Sequence, residues 1–129
     1  GYKYDKKTKT FPVFINYDKS EDISDTTKYE DHFTSSSSLI AISKSGRSVS
    51  SEDVQNFLHA EERGIQVHLF VRKNKDDKIS KEFYYLGYMK ASGRTKEFTM
   101  PNTDKTAVEI EWLLDVPVRE DLYEYIVNE

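Results

Sequence analysis

The fold is decided by residues 66–94, which read QVHLFVRKNKDDKISKEFYYLGYMKASGR. Alternation over 65–72 places Val67, Leu69 and Val71 on one face of a strand, and residues 83–90 form a second strand-like run. The polar connection between the two runs predicts a hairpin. Aromatic rings and Lys or Arg side chains share this segment, and these are the groups that bind exposed nucleobases and phosphates.

Length and composition bound the class of protein. The chain has 129 residues, of which 36% are hydrophobic, 33% charged and 13% aromatic, enough for one domain with one core. It has no cysteine and no apolar run long enough to span a membrane, so we expect a cytoplasmic protein. The first residue is Gly, which favours a domain of a longer protein. We expect residues 1–10 to form a flexible lead-in and residues 11–129 a single domain.

Charge is distributed unevenly along the chain. The net charge is −4, yet residues 36–51 contain Lys44 and Arg47 and no acid, and residues 66–96 contain eight cations and three acids. Residues 97–129 contain two cations and nine acids. A folded domain could therefore present one basic and one acidic face, which suits a nucleic-acid partner. The alternative is that these charges only solvate loops and strand edges.

Local patterns predict the remaining elements. Apolar alternation indicates further strands over 11–17, 39–43 and 107–114, and Pro12 favours an edge position for the first. Residues 34–38 are small and polar, which is typical of a loop. A helical stripe over 51–63 follows a capping-box pattern of Ser50 with Asp53 and ends at Gly64. A short terminal helix is expected over 119–127. These elements predict an α+β domain with a curved, barrel-like, mostly antiparallel sheet.

The sequence gives little indication of an enzyme active site. The histidines His32, His59 and His68 lack metal-ligand spacing, and no thiolate is available. Neither a nucleophile elbow nor a phosphate-binding glycine loop is present. We therefore expect a non-catalytic domain without a metal or other cofactor.

One short segment suggests base recognition. Tyr29, Asp31 and Phe33 alternate, so in an extended segment they share a face, and two rings around a carboxylate could hold a flat base whose amino group donates to the carboxylate. The alternative places Tyr29 and Phe33 in the core, with Asp31 capping a turn. Similarly, Phe83, Tyr85 and the ring of Tyr88 could be core residues, with Tyr84 and Met89 on the other face.

The order of these pieces resembles a known family. The family pattern runs Tyr-x-Asp-Tyr-x-x-Ser, an apolar strand ending in Ser, a helix leading to Gly, a Leu-Phe-Val-Arg strand, an aromatic-Leu-Gly segment and Ile-x-Trp-x-Leu. Over residues 29–117 the chain is similar to the C-terminal domain of helicase-linked type IV restriction endonucleases, which cut DNA carrying modified cytosine. The chain departs from the pattern at Ala41 and Ile42, where relatives carry aromatic and Gln residues, and at His32, which replaces Tyr. The matching segments are Tyr29 to Ser35, Leu39 to Ser43, Gly64, Leu69 to Arg72, Tyr85 to Gly87 and Ile110 to Leu114.

The resemblance implies an SRA-like, PUA-like barrel that reads 5-methylcytosine or 5-hydroxymethylcytosine in duplex DNA by turning the base out of the stack. It also implies partner domains, a nuclease and a helicase, in the parent protein, and no membrane partner. On this basis the modified-base pocket is expected to include Tyr29, Asp31, His32, Phe33, Ser43, Phe70 and Tyr84. The DNA backbone is expected to contact Lys44, Ser45, Arg47, Arg72, Lys73, Lys75, Lys90 and Arg94.

Two alternatives remain open on the sequence. The domain could be a protein-interaction module of a helicase-like protein that contacts its partner through the acidic C-terminal segment. It could also be an RNA-binding barrel, since related folds bind RNA. Tighter binding of methylated than of unmodified duplex would distinguish recognition of modified cytosine from both of these alternatives.

Overall fold

The computed structural model describes residues 1–17, 31–73 and 82–128. Two of the predicted site residues, Tyr29 and Lys75, lie outside this part of the chain. In chain order the elements are β1 (Thr10–Asn16), β2 (His32–Ser35), β3 (Ser38–Ile42), α1 (Glu52–Leu58), α2 (Ala60–Arg63), β4 (Gln66–Arg72), β5 (Tyr84–Thr99), β6 (Thr106–Leu114) and α3 (Glu120–Val127).

The six strands form one sheet that curls into a half-barrel. Their order is β1-β4-β5-β6-β3-β2, in which β1 pairs with β4 in parallel and every other pairing is antiparallel. The predicted class, a curved and mostly antiparallel sheet with few helices, is confirmed. Strand β1 lies at one edge of the sheet, as Pro12 indicates.

The core lies on the inner face of the curl, where helix α1 packs. Val67, Leu69 and Val71 of β4 are almost completely buried, as the alternation predicts. The ring of Phe57 from α1 stacks on Phe11 of β1 with centroids 4.1 Å apart and meets Trp112 of β6 edge-on at 5.1 Å. Each fully buried large side chain stabilises the fold by roughly 1.5–3 kcal/mol. Through Phe57, helix α1 therefore connects the edge strand β1 with the interior strand β6.

Of the polar run at residues 34–38, which was predicted as a loop, only Ser36 and Ser37 form a turn, and the rest belongs to strands. Strand β2 extends to Ser35, and a tight turn leads directly into β3 at Ser38. The hydroxyls satisfy one another across the hairpin, with Thr34 Oγ1 2.6 Å and Ser35 Oγ 2.7 Å from Ser38 Oγ. Strand β2 lies at an edge of the sheet and is held there by backbone hydrogen bonds to β3, so it can be built from small polar residues.

The helical segment also differs from its prediction at both ends of α1. Helix α1 begins after Ser51, which makes no side-chain capping bond, so the capping box of Ser50 with Asp53 is wrong. The carboxylate of Asp53 instead bonds to Tyr2 and Arg47. The stretch breaks at His59 into α1 and α2, and α2 ends at Gly64 in the left-handed conformation with φ 70°. The glycine stop is therefore confirmed.

The first ten residues contact the domain more closely than the expected lead-in. Tyr2 forms a β-bridge with Val13, and Asp5 forms another with Thr10. The Tyr2 ring meets Phe57 edge-on at 4.8 Å, and Tyr4 lies 5.3 Å from Phe11. These residues cover one end of the core beside the start of helix α1.

Candidate functional site

A cavity of about 220 Å³ opens between β1 and the β2–β3 hairpin, near the two edges of the curled sheet. Its volume lies below the roughly 300–1,000 Å³ of sites for drug-sized ligands, which suits a single heterocycle. Strands β1, β3 and β6, helix α1 and the N-terminal residues all contribute walls. The lining residues are Gly1, Tyr2, Val13, Phe14, Asp31, Ala41, Ile42, Ser43, Lys44, Phe57 and Ile110.

Asp31 provides the acidic group of the cavity. It lies directly before β2, and its Oδ1 atom accepts a hydrogen bond from the Ile42 backbone N–H at 2.7 Å. This bond fixes the carboxylate on the wall formed by β3. A carboxylate only accepts hydrogen bonds and has two oxygens to do so, which is the chemistry that an amino group of a ligand requires.

Ser43 also lines the cavity, but its hydroxyl has a structural task. The side chain is buried, donates to the Lys44 carbonyl at 3.0 Å and accepts the Val108 backbone N–H at 2.8 Å. The bond from Val108 holds the end of β3 against β6. The hydroxyl therefore shapes the cavity wall through the backbone.

A polar network borders the cavity at the start of α1. The Tyr2 hydroxyl donates to Asp53 Oδ2 at 2.5 Å and accepts the Lys44 backbone N–H at 2.9 Å, and Arg47 Nε donates to the same Asp53 oxygen at 2.9 Å. Burial, followed by the bond to Asp53, raises the pKa of the Tyr2 phenol. Burial opposes ionisation of Asp53 most strongly, yet the bonds from Tyr2 and Arg47 lower its pKa below the ordinary value.

Positive charge lies beside this network. The Lys44 ammonium sits 4.7 Å from the centre of the Tyr2 ring, and Lys44 and Ser45 are exposed in the loop between β3 and α1. Arg47, half-buried by its ion pair with Asp53, belongs to the same loop. Three of the predicted phosphate-contacting residues are therefore together next to the cavity.

The other predicted phosphate contacts lie elsewhere. Arg72 is the last residue of β4 and Lys73 follows it, and the strand directions place this end opposite the carboxyl end of β3, where Lys44 lies. Lys73 donates to the Asn128 carbonyl at 2.6 Å. Lys90 and Arg94 lie on the outer face of β5, where Arg94 is 3.7 Å from Glu111.

The rings predicted for the pocket are also divided. Phe33 is buried in the core, where its ring lies 5.6 Å from Tyr17 and 5.7 Å from Tyr123. Phe70 lies on the outer face of the sheet and stacks on Phe14 at 4.9 Å, and Tyr84 is exposed beside Tyr125 of α3. His32 follows Asp31 as the first residue of β2 and is half-buried. Of the predicted pocket set, the structure brings Asp31 and Ser43 to the cavity.

Three aromatic residues of the cavity were absent from the predicted site. Tyr2 lies in a lysine-rich segment with no apolar periodicity, so nothing in the sequence near it indicates its contact with Asp53, 51 residues away. Phe57 belongs to the helical stripe predicted over 51–63, to which no site role was assigned. Phe14 could have been singled out from the sequence, because it is a large aromatic residue on the exposed face of a strand whose apolar residues otherwise alternate onto the buried face.

Within residues 1–17, 31–73 and 82–128, no group of three His, Asp or Glu side chains is arranged to hold a metal ion. Among the helices described, none has the length and apolar character needed to cross a bilayer.

Comparison with solved structures supports the fold. The SRA domain of SUVH5 in complex with fully methylated CG DNA superposes with a TM-score of 0.52 at 12% identity, covering 92% of this chain and 76% of that chain. The same domain with methylated CHH DNA gives a TM-score of 0.52 at 13% identity, covering 93% and 74%. The chain therefore has an SRA-like fold.

Sequence comparison identifies the family. No curated protein matches the chain in sequence. The family described as Domain of unknown function (DUF3427) matches residues 1–126, which is almost the whole chain. The chain belongs to the DUF3427 family.

Proposed function

We propose that this domain recognises duplex DNA containing 5-methylcytosine or 5-hydroxymethylcytosine by accepting the everted base in the cavity beside Asp31. The observation that carries the proposal is this cavity, with a carboxylate and aromatic walls, in a fold shared with SRA domains solved with methylated DNA. Cytosine presents an exocyclic N4 amino group, and a carboxylate is the side chain that accepts from it.

The energetics favour eversion over surface contact. One buried methyl group contributes roughly 0.8 kcal/mol, or about fourfold in affinity, which separates modified from unmodified DNA poorly. Eversion costs a few kcal/mol of unstacking, which stacking on aromatic rings offsets by about 1–3 kcal/mol per base. Tyr2 is the cavity-lining aromatic residue proposed to supply such a contact, since the Phe14 ring stacks on Phe70 on the outer face of the sheet. When the base is enclosed in the cavity, the fit around its 5-substituent determines the difference in affinity between modified and unmodified DNA.

The loop between β3 and α1 supplies the phosphate contacts of the proposal. Lys44 and Ser45 are exposed next to the cavity, and Arg47 adjoins them. Cations beside the cavity mouth would hold the backbone around the everted nucleotide, since phosphate contacts position a protein on DNA without reading sequence. Their contribution weakens as salt rises.

The proposal extends to the parent protein. The domain would act as the target-recognition unit of a modification-dependent restriction endonuclease in the cytoplasm, with cleavage and translocation performed by separate nuclease and helicase domains. The chain itself would be non-catalytic. This assignment rests on the resemblance of its motifs, Leu69 to Arg72 and Ile110 to Leu114 among them.

Paired titrations test the proposal. Short duplexes that differ only in one 5-methylcytosine are titrated with the protein, and 2-aminopurine beside that position reports loss of stacking. We expect tighter binding of the methylated duplex, together with a rise in 2-aminopurine fluorescence. Equal affinity for the two duplexes would overturn recognition of the modification, and preference without a fluorescence rise would overturn eversion.

A further inference from the structure

A continuous row of rings crosses the outer face of β1, β4 and β5, away from the core. Successive ring centroids lie 4.7 Å (Tyr88 to His68), 5.8 Å (His68 to Tyr85), 5.0 Å (Tyr85 to Phe70), 4.9 Å (Phe70 to Phe14) and 5.3 Å (Phe14 to Phe83) apart. Each separation is within the range of interacting aromatic pairs. We call these six side chains the aromatic row.

The aromatic row faces solvent. Tyr85 is 52% exposed, Tyr88 45% and Phe14 37%. The sequence left Phe83, Tyr85 and Tyr88 as possible core residues, and for the two tyrosines that alternative is wrong, because the β4–β5 register pairs buried Val67 with Met89 and so turns Met89 inward and Tyr88 outward. A contiguous exposed aromatic surface of this kind marks an interaction site on a soluble domain.

Cations accompany the aromatic row on the same face. The Arg72 guanidinium lies 4.5 Å from the centre of the Phe83 ring, and Lys90 continues the outward positions of β5 beyond Tyr88. Arg94 and Lys96 lie further along that face of β5, opposite Glu111 and Glu109 of β6. Positive charge therefore lies at both ends of the aromatic row, and the two acids lie on the strand beyond it.

We propose that the aromatic row binds single-stranded nucleic acid by stacking unpaired bases, with Arg72 and Lys90 contacting the flanking phosphates. Every base has a flat π-face, so a row of rings on a sheet with neighbouring cations suits single strands without sequence preference. The flanking cations favour a phosphate-bearing partner over an apolar protein surface. Duplex DNA fits poorly, because its bases stack on one another.

The site is distinct from the cavity and does not depend on recognition of modified cytosine. Phe14 is common to both, because its ring belongs to the aromatic row on the outer face and the residue is one of those around the cavity.

Fluorescence anisotropy with unmodified oligo(dT) tests the proposal. We expect Tyr85→Ala combined with Tyr88→Ala to weaken binding at least about tenfold, the loss typical of one to two stacked bases. The matched control replaces two exposed tyrosines outside the aromatic row, Tyr84→Ala with Tyr125→Ala, and should leave the affinity within about twofold. An abasic oligomer of the same length, which keeps the phosphates, should bind as weakly as the doubly substituted protein binds oligo(dT).

Several outcomes overturn the proposal. They are undetectable binding of oligo(dT) at low salt, equal affinity for the abasic oligomer, equal affinity for the matching duplex, or equal losses in the two double variants. Oligo(rU) in place of oligo(dT) assigns the sugar, and tighter binding of either supports the same stacking chemistry. Circular dichroism and emission from the buried Trp112 verify that both variants retain the fold.

Discussion

Asp31 occupies the cavity wall with its carboxylate held by the backbone N–H of Ile42. If that carboxylate accepts the amino group of an everted cytosine, Asp31→Ala should weaken binding of the methylated duplex by about 1–3 kcal/mol, the value of a specific contact to a base edge. Asp31→Asn, which keeps one acceptor oxygen, should lose less. Titration of methylated and unmethylated duplexes measures both effects.

The matched control for this prediction is Asp104→Ala, which removes an exposed carboxylate in the turn between β5 and β6. It changes net charge by the same amount, so any general electrostatic effect appears in both variants. Unaltered preference for methylated DNA in Asp31→Ala would remove this side chain from base recognition.

Asp53 links pH to stability at the neighbouring network. Its pKa is below the ordinary 3.8 in the folded protein, so the ionised carboxylate stabilises the fold above that value, and the contribution is lost as pH falls through the folded-state pKa. We expect Asp53→Asn to lower the free energy of unfolding at pH 7 by about 1.5–3 kcal/mol, as for hydrogen bonds to charged groups. The difference from wild type should shrink at acid pH in urea titrations.

Single residues show where local sequence carries information. Asp31 was identified because it lies between aromatic residues, but Phe33, expected on the same face, packs in the core against Tyr17 and Tyr123. The strand begins only at His32, so the alternation does not extend back to Asp31. Tyr2 joins the site through a contact across 51 residues, which no local pattern encodes.

Among the elements, the loop between β3 and α1 has the clearest expected effect on DNA binding. Neutralising Lys44 by Lys44→Gln should reduce affinity for methylated and unmethylated duplexes alike and lower the salt slope by about 1, because it removes one phosphate contact. Lys73→Gln is the matched control, since Lys73 lies at the opposite end of the sheet. A loss confined to methylated duplex, or equal losses in both variants, would contradict this placement.

Elements with a strong periodic pattern were predicted well. Strands β1, β4 and β6 and helix α3 lie close to their predicted bounds, because burial of one face imposes the alternation. Strand β5 is much longer than residues 83–90, since it passes an irregularity between Ala91 and Thr95 and continues to Thr99. Gly93, with φ 102°, lies in that irregularity, where a glycine allows the strand to bend without ending.

At the scale of the whole molecule, the affinity for DNA and the preference for methylated over unmethylated duplex should respond differently to salt. Both duplexes should bind more weakly as salt rises from low to physiological concentration, since the phosphate contacts release counterions. The ratio of the two affinities should stay constant, because the base is read inside the cavity. Titrations at several salt concentrations measure both quantities, and a ratio that falls with salt would place discrimination on the charged surface.

The sheet as a whole was predictable in class but not in order. The curvature and the outward or inward direction of β4 and β6 were predicted, but β2 was missed, because its small polar residues carry no apolar alternation. The order β1-β4-β5-β6-β3-β2 depends on pairings between distant strands, which single-strand periodicity does not encode. The same limit applies to the cations predicted to contact phosphates. The sequence analysis grouped them into one set, whereas the strand directions place them at different ends of the sheet.

The parallel pairing of β1 with β4 has a kinetic consequence. It joins residues such as Asn16 and Arg72 that are 56 positions apart, whereas β5 and β6 are joined by a short turn. Pairing β1 with β4 closes a long loop, and the entropy lost in closing it is compensated only after the two strands have paired. We therefore expect β1 to dock after the folding transition state. Ile15→Val, costing about 0.5–1.5 kcal/mol, should then accelerate unfolding in stopped-flow traces and leave refolding unchanged. The wall that β1 provides would be the last part to assemble and the first to detach.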